Sequence, residues 1–265
     1  MSSKVKFEIA DITFQFSSSY AKPILWVKEH YAIYLSQSVP DLDIHLEFKK
    51  RYKSGRTSSV PLEVISENGK FFLRSGHFDL TGSYSSGKVK VVSNHNMGVA
   101  DLTRTLFSVV IVKKGGLLLH ASAVADGNSS YVFCGPSESG KTTIAKLLQG
   151  KDVLTDETTA IINKDNRYYA YSTPFFGELG SVSKNRGAPV KAIFFIHKGD
   201  YFSHKRVCRV DAMRHFLYNI ILSGRNLDLT NKVLDSVSNL VERVPCYDLY
   251  FKADAELWRY INGIA

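Results

Sequence analysis

Cysteine is scarce: Cys134, Cys208 and Cys246 are the three in a chain of 265 residues. They are too few and too scattered for a disulfide framework or a zinc site, so a reduced, cytoplasmic setting is expected. No run of eighteen apolar residues occurs. The greasiest stretches, 106–112 and 117–119, are too short to span a bilayer, and no membrane partner is expected. Residues 1–7 carry lysines but neither an apolar core nor a small-residue cleavage site, so no signal peptide is expected. There is no internal repeat and no low-complexity segment. With 44% hydrophobic and 22% charged residues the composition is that of an ordinary globular chain, which excludes disordered, collagenous and fibrous classes.

Acids are the minority charge. Lysine and arginine number 34 against 25 aspartates and glutamates, a formal net charge of +9 that favours anionic partners. The densest basic cluster, Lys49, Lys50, Arg51, Lys53 and Arg56, is short and ends at Gly55 and its neighbours. It reads as a solvated loop between strands, and nucleic acid is not an expected partner.

The pattern along the chain points to an α/β or mixed α+β architecture. Residues 6–16 alternate through Phe7, Ile9, Ile12, Phe14 and Phe16, and 43–48 through Ile44, Leu46 and Phe48, as strands do. Stretches 60–65, 70–74 and 88–93 continue this, with Asn68-Gly69 as a hairpin signal. Val99, Leu102, Leu106 and Val109 recur at helical spacing, and Gly115-Gly116 stops that helix. A β-rich N-terminal region, 1–115, is therefore expected ahead of a second domain, 116–265. In the second, 117–124 and 131–134 read as two strands joined by a tight turn at Asp126-Gly127-Asn128. A helix is expected at 142–148, a short strand at 153–154 and a buried strand at 192–196. Helices follow at 211–222 and 231–241, then a strand at 247–251 and a short helix capped by Asp254.

One segment carries chemistry. Gly135-Pro136-Ser137-Glu138-Ser139-Gly140-Lys141-Thr142-Thr143 matches G-x-x-x-x-G-K-[ST] in full, between an expected strand and an expected helix. That arrangement suits a phosphate: backbone amides wrap it, the helix start presents its positive end, and Lys141 adds a charge. The Thr142 hydroxyl can ligate Mg²⁺. Downstream, Asp156-Glu157 ends a short hydrophobic strand, where one acid can hold a metal and the other accept a proton. Upstream, His120 lies in the strand that precedes the glycine-rich loop; it reads either as a satisfied structural histidine or as one that the hairpin brings toward the same place. His197, His204 and His215 have no metal-like spacing. The run Tyr168-Tyr169-Ala170-Tyr171 fits a cross-strand-packed strand better than a platform for adenine, and Cys134 fits a buried filler.

The stretch LLLHASAVADGNSSYVFCGPSESGKTTIAKLLQGKDVLTDETTAI resembles the catalytic segment shared by HPr kinase/phosphorylase and ATP-dependent phosphoenolpyruvate carboxykinase. Both families order a histidine strand, a turn, a P-loop and an adjacent acidic pair in this way. Looser similarity to small stand-alone HPr-kinase-like proteins runs through 172–178, 188–191 and 240–247. Some members of that group stand beside peptide-modification genes and phosphorylate a serine of a precursor peptide. The resemblance implies a P-loop domain and ATP-dependent transfer to a hydroxyl, with ATP and Mg²⁺ held by Gly135, Gly140, Lys141 and Thr142. It implies Asp156 as general base, Glu157, where the families usually carry a second Asp, at the metal, and His120 near the phosphates. Arg186, in a polar, Gly-flanked segment, is a candidate for a further cation on the γ-phosphate, beside the plainer reading of an exposed loop arginine. The expected partners are ATP and a protein or peptide bearing an acceptor serine; a homo-oligomer is left open. The competing reading is a nucleotide-responsive binding module with little catalysis.

Overall fold

The computed structural model describes residues 3–48, 63–67, 70–74, 78–83, 86–93, 98–180, 184–224 and 227–264. The basic cluster at 49–56 and the Asn68-Gly69 turn lie outside the described residues. The chain is a mixed α+β protein with two mixed sheets. Its contacts divide it into two compact units, Met1–Val110 with Leu222–Thr230, and Ile111–Ile221 with Asn231–Ala265.

The first unit contains β1 (Ser3–Ile9), β2 (Ile12–Ser18), α1 (Ala21–His30) and a 3-10 turn at Ala32–Tyr34. Then come β3 (Leu42–Phe48), β4 (Glu63–Glu67), β5 (Lys70–Arg74), β6 (Phe78–Ser83), β7 (Lys88–Ser93) and α2 (Val99–Lys113), inside which the division falls. The strands form one sheet in the order β1-β2-β3-β7-β6-β5-β4. The alternating run at 6–16 is two strands, not one. Ala10 and Asp11 take positive φ (48° and 59°) in a two-residue turn that sets Ile9 opposite Ile12. Such a turn keeps the inward-facing alternation in step on both strands, so periodicity alone does not reveal it. Phe7, Phe14, Phe16 and Tyr31 pack there as a ring cluster, with Phe7 and Phe14 stacked at 5.3 Å.

The second unit holds β8 (Leu117–Asp126), β9 (Ser129–Cys134), α3 (Lys141–Leu147), β10 (Asp152–Thr155), β11 (Thr158–Lys164) and β12 (Arg167–Tyr171). It continues with β13 (Gly187–Lys198), β14 (Ser203–Arg206), α4 (Arg209–Asn219), α5 (Leu227–Arg243), whose first residues belong to the first unit, β15 (Cys246–Phe251) and α6 (Leu257–Asn262). β8 and β9 form the expected antiparallel hairpin, with Asp126 opposite Ser129 across a two-residue turn. On its other side β9 runs parallel to β13, and β13 parallel to β15. The second edge of β8 carries β10 and β11 in nearly one register: Thr155 faces Ala123, Thr158 faces His120, and between them the Ala121 amide donates to Glu157 O at 3.0 Å. The acidic pair is thus a short interruption in a strand laid along β8.

A core of Val124, Phe133, Ile144, Phe194, Ile196, Leu249, Phe251, Leu257 and their neighbours ties β9, α3, β13, β15 and α6 together. Phe133 stacks on Phe194 at 5.5 Å. Full burial of each such side chain stabilises by about 1.5–3 kcal/mol, which anchors both ends of the glycine-rich loop. Tyr168–Tyr171 belong to β12, paired with β11 and β13, as the packing reading expects.

Candidate active site

The loop of residues 135–140 leaves the buried end of β9 and enters α3 at Lys141. Its turn needs Gly140, which sits at φ +108°, and a Cβ there would lie 2.7 Å from the Phe251 ring. Glu138 is exposed and also has positive φ (66°). Lys141 is 6% exposed, and its ammonium donates to the loop's own carbonyls, Gly135 O at 2.9 Å and Pro136 O at 2.7 Å. Burial pulls the Lys141 ammonium below the ordinary lysine value, while the Glu157 carboxylate pushes it back up. Within the same loop the Ser139 hydroxyl is buried with no hydrogen-bond partner among the described residues, a polar atom of the kind a ligand or water satisfies. Pro136 and Ser137 are exposed; Thr142 is half-buried and Thr143 exposed in the first turn of α3.

The acidic pair splits in two directions. Asp156 is 1% exposed, and each of its carboxylate oxygens accepts a backbone amide: Gly177 N–H on Oδ1 and Leu179 N–H on Oδ2, both at 2.9 Å. Glu157, with its side chain 41% exposed, instead places Oε1 3.4 Å from His120 Nε2. Local structure explains the split. The Thr155 hydroxyl accepts from the Glu157 and Thr158 amides, at 3.3 and 3.2 Å, and holds the chain in the bend that separates the two carboxylates. Gly177 lies so close that a Cβ on it would meet Glu157 Oε2 at 2.5 Å and Asp156 Oδ2 at 3.0 Å. A Lys146–Glu178 ion pair of 2.7 Å also ties this segment to α3.

Glu157 therefore links His120 to Lys141, and Asp156 Oδ2 borders Gly177 beside Glu157 Oε2. Arg186 is not brought there. Its guanidinium pairs with Asp152 Oδ2 at 2.7 Å and donates to Gly127 O at 3.2 Å, at the hairpin-turn end of β8 and β9. The loop starts at the opposite end of β9, a strand of six residues and so about 17 Å away. The structure thus pairs the candidate cation Arg186 with Asp152 and does not bring it beside the loop.

Sequence reasoning missed two contributors: Gly177 and Leu179 as amide donors to Asp156, and a histidine pair on the other flank of the loop. There, His197 Nε2 donates to Asp248 Oδ1 at 2.9 Å and His215 Nε2 lies 3.8 Å from the same oxygen. The stretch 172–178 carries part of the family resemblance, but nothing in it announces a bond to Asp156. Among the described residues no group of three or more His, Cys, Asp or Glu is arranged to hold a metal by itself, and no helix is long and apolar enough to cross a membrane.

These features define a mixed α+β protein whose second sheet presents a glycine-rich GKT loop beside an imidazole–carboxylate pair. Residues 87–265 match the model of the family described as SynChlorMet cassette protein ScmC, and the chain belongs to that family. No curated protein matches it.

Proposed function

We propose that this protein is an ATP-dependent kinase of the HPr-kinase-like kind, with a P-loop catalytic unit, and that it phosphorylates a serine hydroxyl of a protein or peptide. The observation that carries the reading is the His120–Glu157 pair, whose carboxylate acts on the lysine of the GKT loop. The residues fit a triphosphate: among the described residues the Lys141 ammonium bonds to two loop carbonyls, which it can exchange for phosphate oxygens, and the Ser139 hydroxyl has no partner and can donate.

They also fit Mg²⁺, which in nucleotide sites takes one or two protein ligands and completes its shell with phosphate oxygens and water. Thr142 and Glu157 would hold it, with His120 adjacent. When bound, it supplies neutralisation of charge on the phosphate oxygens.

In the transfer, the serine oxygen forms a bond to the γ-phosphorus while the bond from that phosphorus to the β–γ bridging oxygen breaks, and ADP departs with the electron pair. Lys141 offsets charge on the phosphates. The hydroxyl proton passes to Asp156. A carboxylate offers about four lone-pair sites, and the Gly177 and Leu179 amides occupy two, so they fix the orientation of Asp156 and leave acceptor capacity.

The test is transfer of labelled γ-phosphate from ATP to serine-containing peptides. Wild type is expected to label a serine, and Asp156→Asn to lose about 10²–10⁴-fold in turnover while retaining nucleotide binding. Nucleotide binding with no transfer to any acceptor supports the binding-module reading instead.

A further inference from the structure

We propose that the cavity on the β13 flank of the glycine-rich loop takes an adenine ring, and that Asn219 selects it by accepting from its amino group. The inference rests on the reading of the loop as a triphosphate site. The cavity measures about 400 Å³ and lies between residues 134–139, the end of β13 at 195–198, and His215 and Asn219 of α4. β9 has two neighbours, β8 and β13. The β8 edge delivers His120 and the acids, which mark the reacting end of a bound nucleotide, so the nucleoside end leaves the loop on the β13 side. Open parallel strands take ligands at their carboxyl ends in this manner, and β9, β13 and β15 are parallel.

The lining suits a flat, amino-bearing heterocycle. Phe195 and His215 stack at 4.5 Å, and His197 stacks on Tyr250 at 4.7 Å, so the wall is made of rings already held by partners. The contact of His197 Nε2 with Asp248 Oδ1, at 2.9 Å, fixes the orientation of that ring. Asn219 is 6% exposed, and its NH₂ donates to His215 O at 2.8 Å. That carbonyl can accept only from the NH₂, which settles the amide orientation and makes Oδ1 the remaining acceptor. The Asn219 Oδ1 acceptor on the wall matches the exocyclic amino group of adenine and opposes the keto oxygen that guanine carries at the same ring position. Lys198 at the rim adds positive charge, in keeping with a phosphate-bearing ligand.

The experiment is calorimetric titration of the full chain, with Mg²⁺ present, by ATP, GTP, purine riboside triphosphate (which lacks the amino group) and inorganic tripolyphosphate. ATP is expected to bind about tenfold or more tightly than GTP or purine riboside triphosphate. Asn219→Leu is expected to abolish that preference and leave tripolyphosphate affinity within about twofold. His215→Ala, at a half-exposed ring that tolerates truncation, is expected to weaken ATP but not tripolyphosphate. Equal affinity of wild type for all four ligands, or GTP binding as tightly as ATP, overturns the base pocket and leaves the loop reading standing. Failure of both ATP and tripolyphosphate to bind overturns the loop reading, and the pocket with it.

Discussion

His120 Nε2 lies 3.4 Å from Glu157 Oε1, although 37 positions separate them in the chain, because β8 and the β10–β11 strand place them in adjoining rows. The neighbouring acid, Asp156, turns instead to two backbone amides. The two carboxylates should therefore respond differently to loss of charge. Asp156→Asn puts an NH₂ opposite one of two buried amide donors, and should cost about 1–3 kcal/mol of stability. Glu157→Gln, at a half-exposed side chain, should stay within about 0.5 kcal/mol while reducing phosphoryl transfer. Urea unfolding of both variants beside turnover measurements separates the two effects.

Lys141 should make the ligand-free protein's stability depend on pH in a particular direction. Its ammonium is held below the ordinary lysine value of 10.5 by burial. The folded state thus binds the proton less well than the unfolded chain does, and stability contributed by this site rises with pH. Compared with Lys141→Met, the wild type should carry a constant penalty below its folded-state pKa. That penalty should shrink as pH rises from there toward 10.5. A stability difference between the two that is flat over this window, measured by denaturant titration, contradicts the burial of a charged amine.

Gly140→Ala tests how the loop is held. An added methyl meets the Phe251 ring at 2.7 Å on a backbone already at φ +108°. A loss of about 1–3 kcal/mol is expected, with weaker binding of tripolyphosphate, since the ring cannot yield without disturbing the β15 core. Calorimetry and thermal unfolding read both.

Arg186→Ala should cost about 0.2–1 kcal/mol, the usual worth of a partly exposed ion pair, and leave the turnover number unchanged. A large fall in turnover without a change in stability would return Arg186 to the phosphates.

The cysteines should react unequally. Burial pushes the Cys246 thiol up to about 12 and raises Cys134 further, whereas Cys208 is exposed and donates to Asp211 Oδ2 at 3.1 Å. At pH 8 a thiol reagent should modify one cysteine per native chain, Cys208, and all three only after denaturation. Mass spectrometry of the labelled peptides gives the count.

Where the sequence could be read directly, a local pattern fixed the backbone by itself. The β8–β9 hairpin and the GKT loop have turn residues and spacings that tolerate few alternatives. Where it could not, the decisive partner lay far along the chain. β1 and β2 alternate identically through the Ala10-Asp11 turn, and no Asn-Gly marks the break. α1 carries Pro23 and a mixed run of aromatic and charged residues, which hides a helix whose third position does not need its N–H. Arg186 looks like a mobile loop cation until Asp152, 34 residues away, is brought beside it. Asp156 reads as half of an acidic pair, and only the fold supplies Gly177 and Leu179.

β8 works as a gauge block. It holds the GKT-loop strand on one edge and the acids on the other, so their separation is about two inter-strand steps, roughly 10 Å. Hydrogen-bonded strands do not stretch, and substitutions in the surrounding connections leave this spacing alone. Diversification within such a scaffold would then alter what enters from either flank, while the span between the loop strand and the carboxylates stays constant.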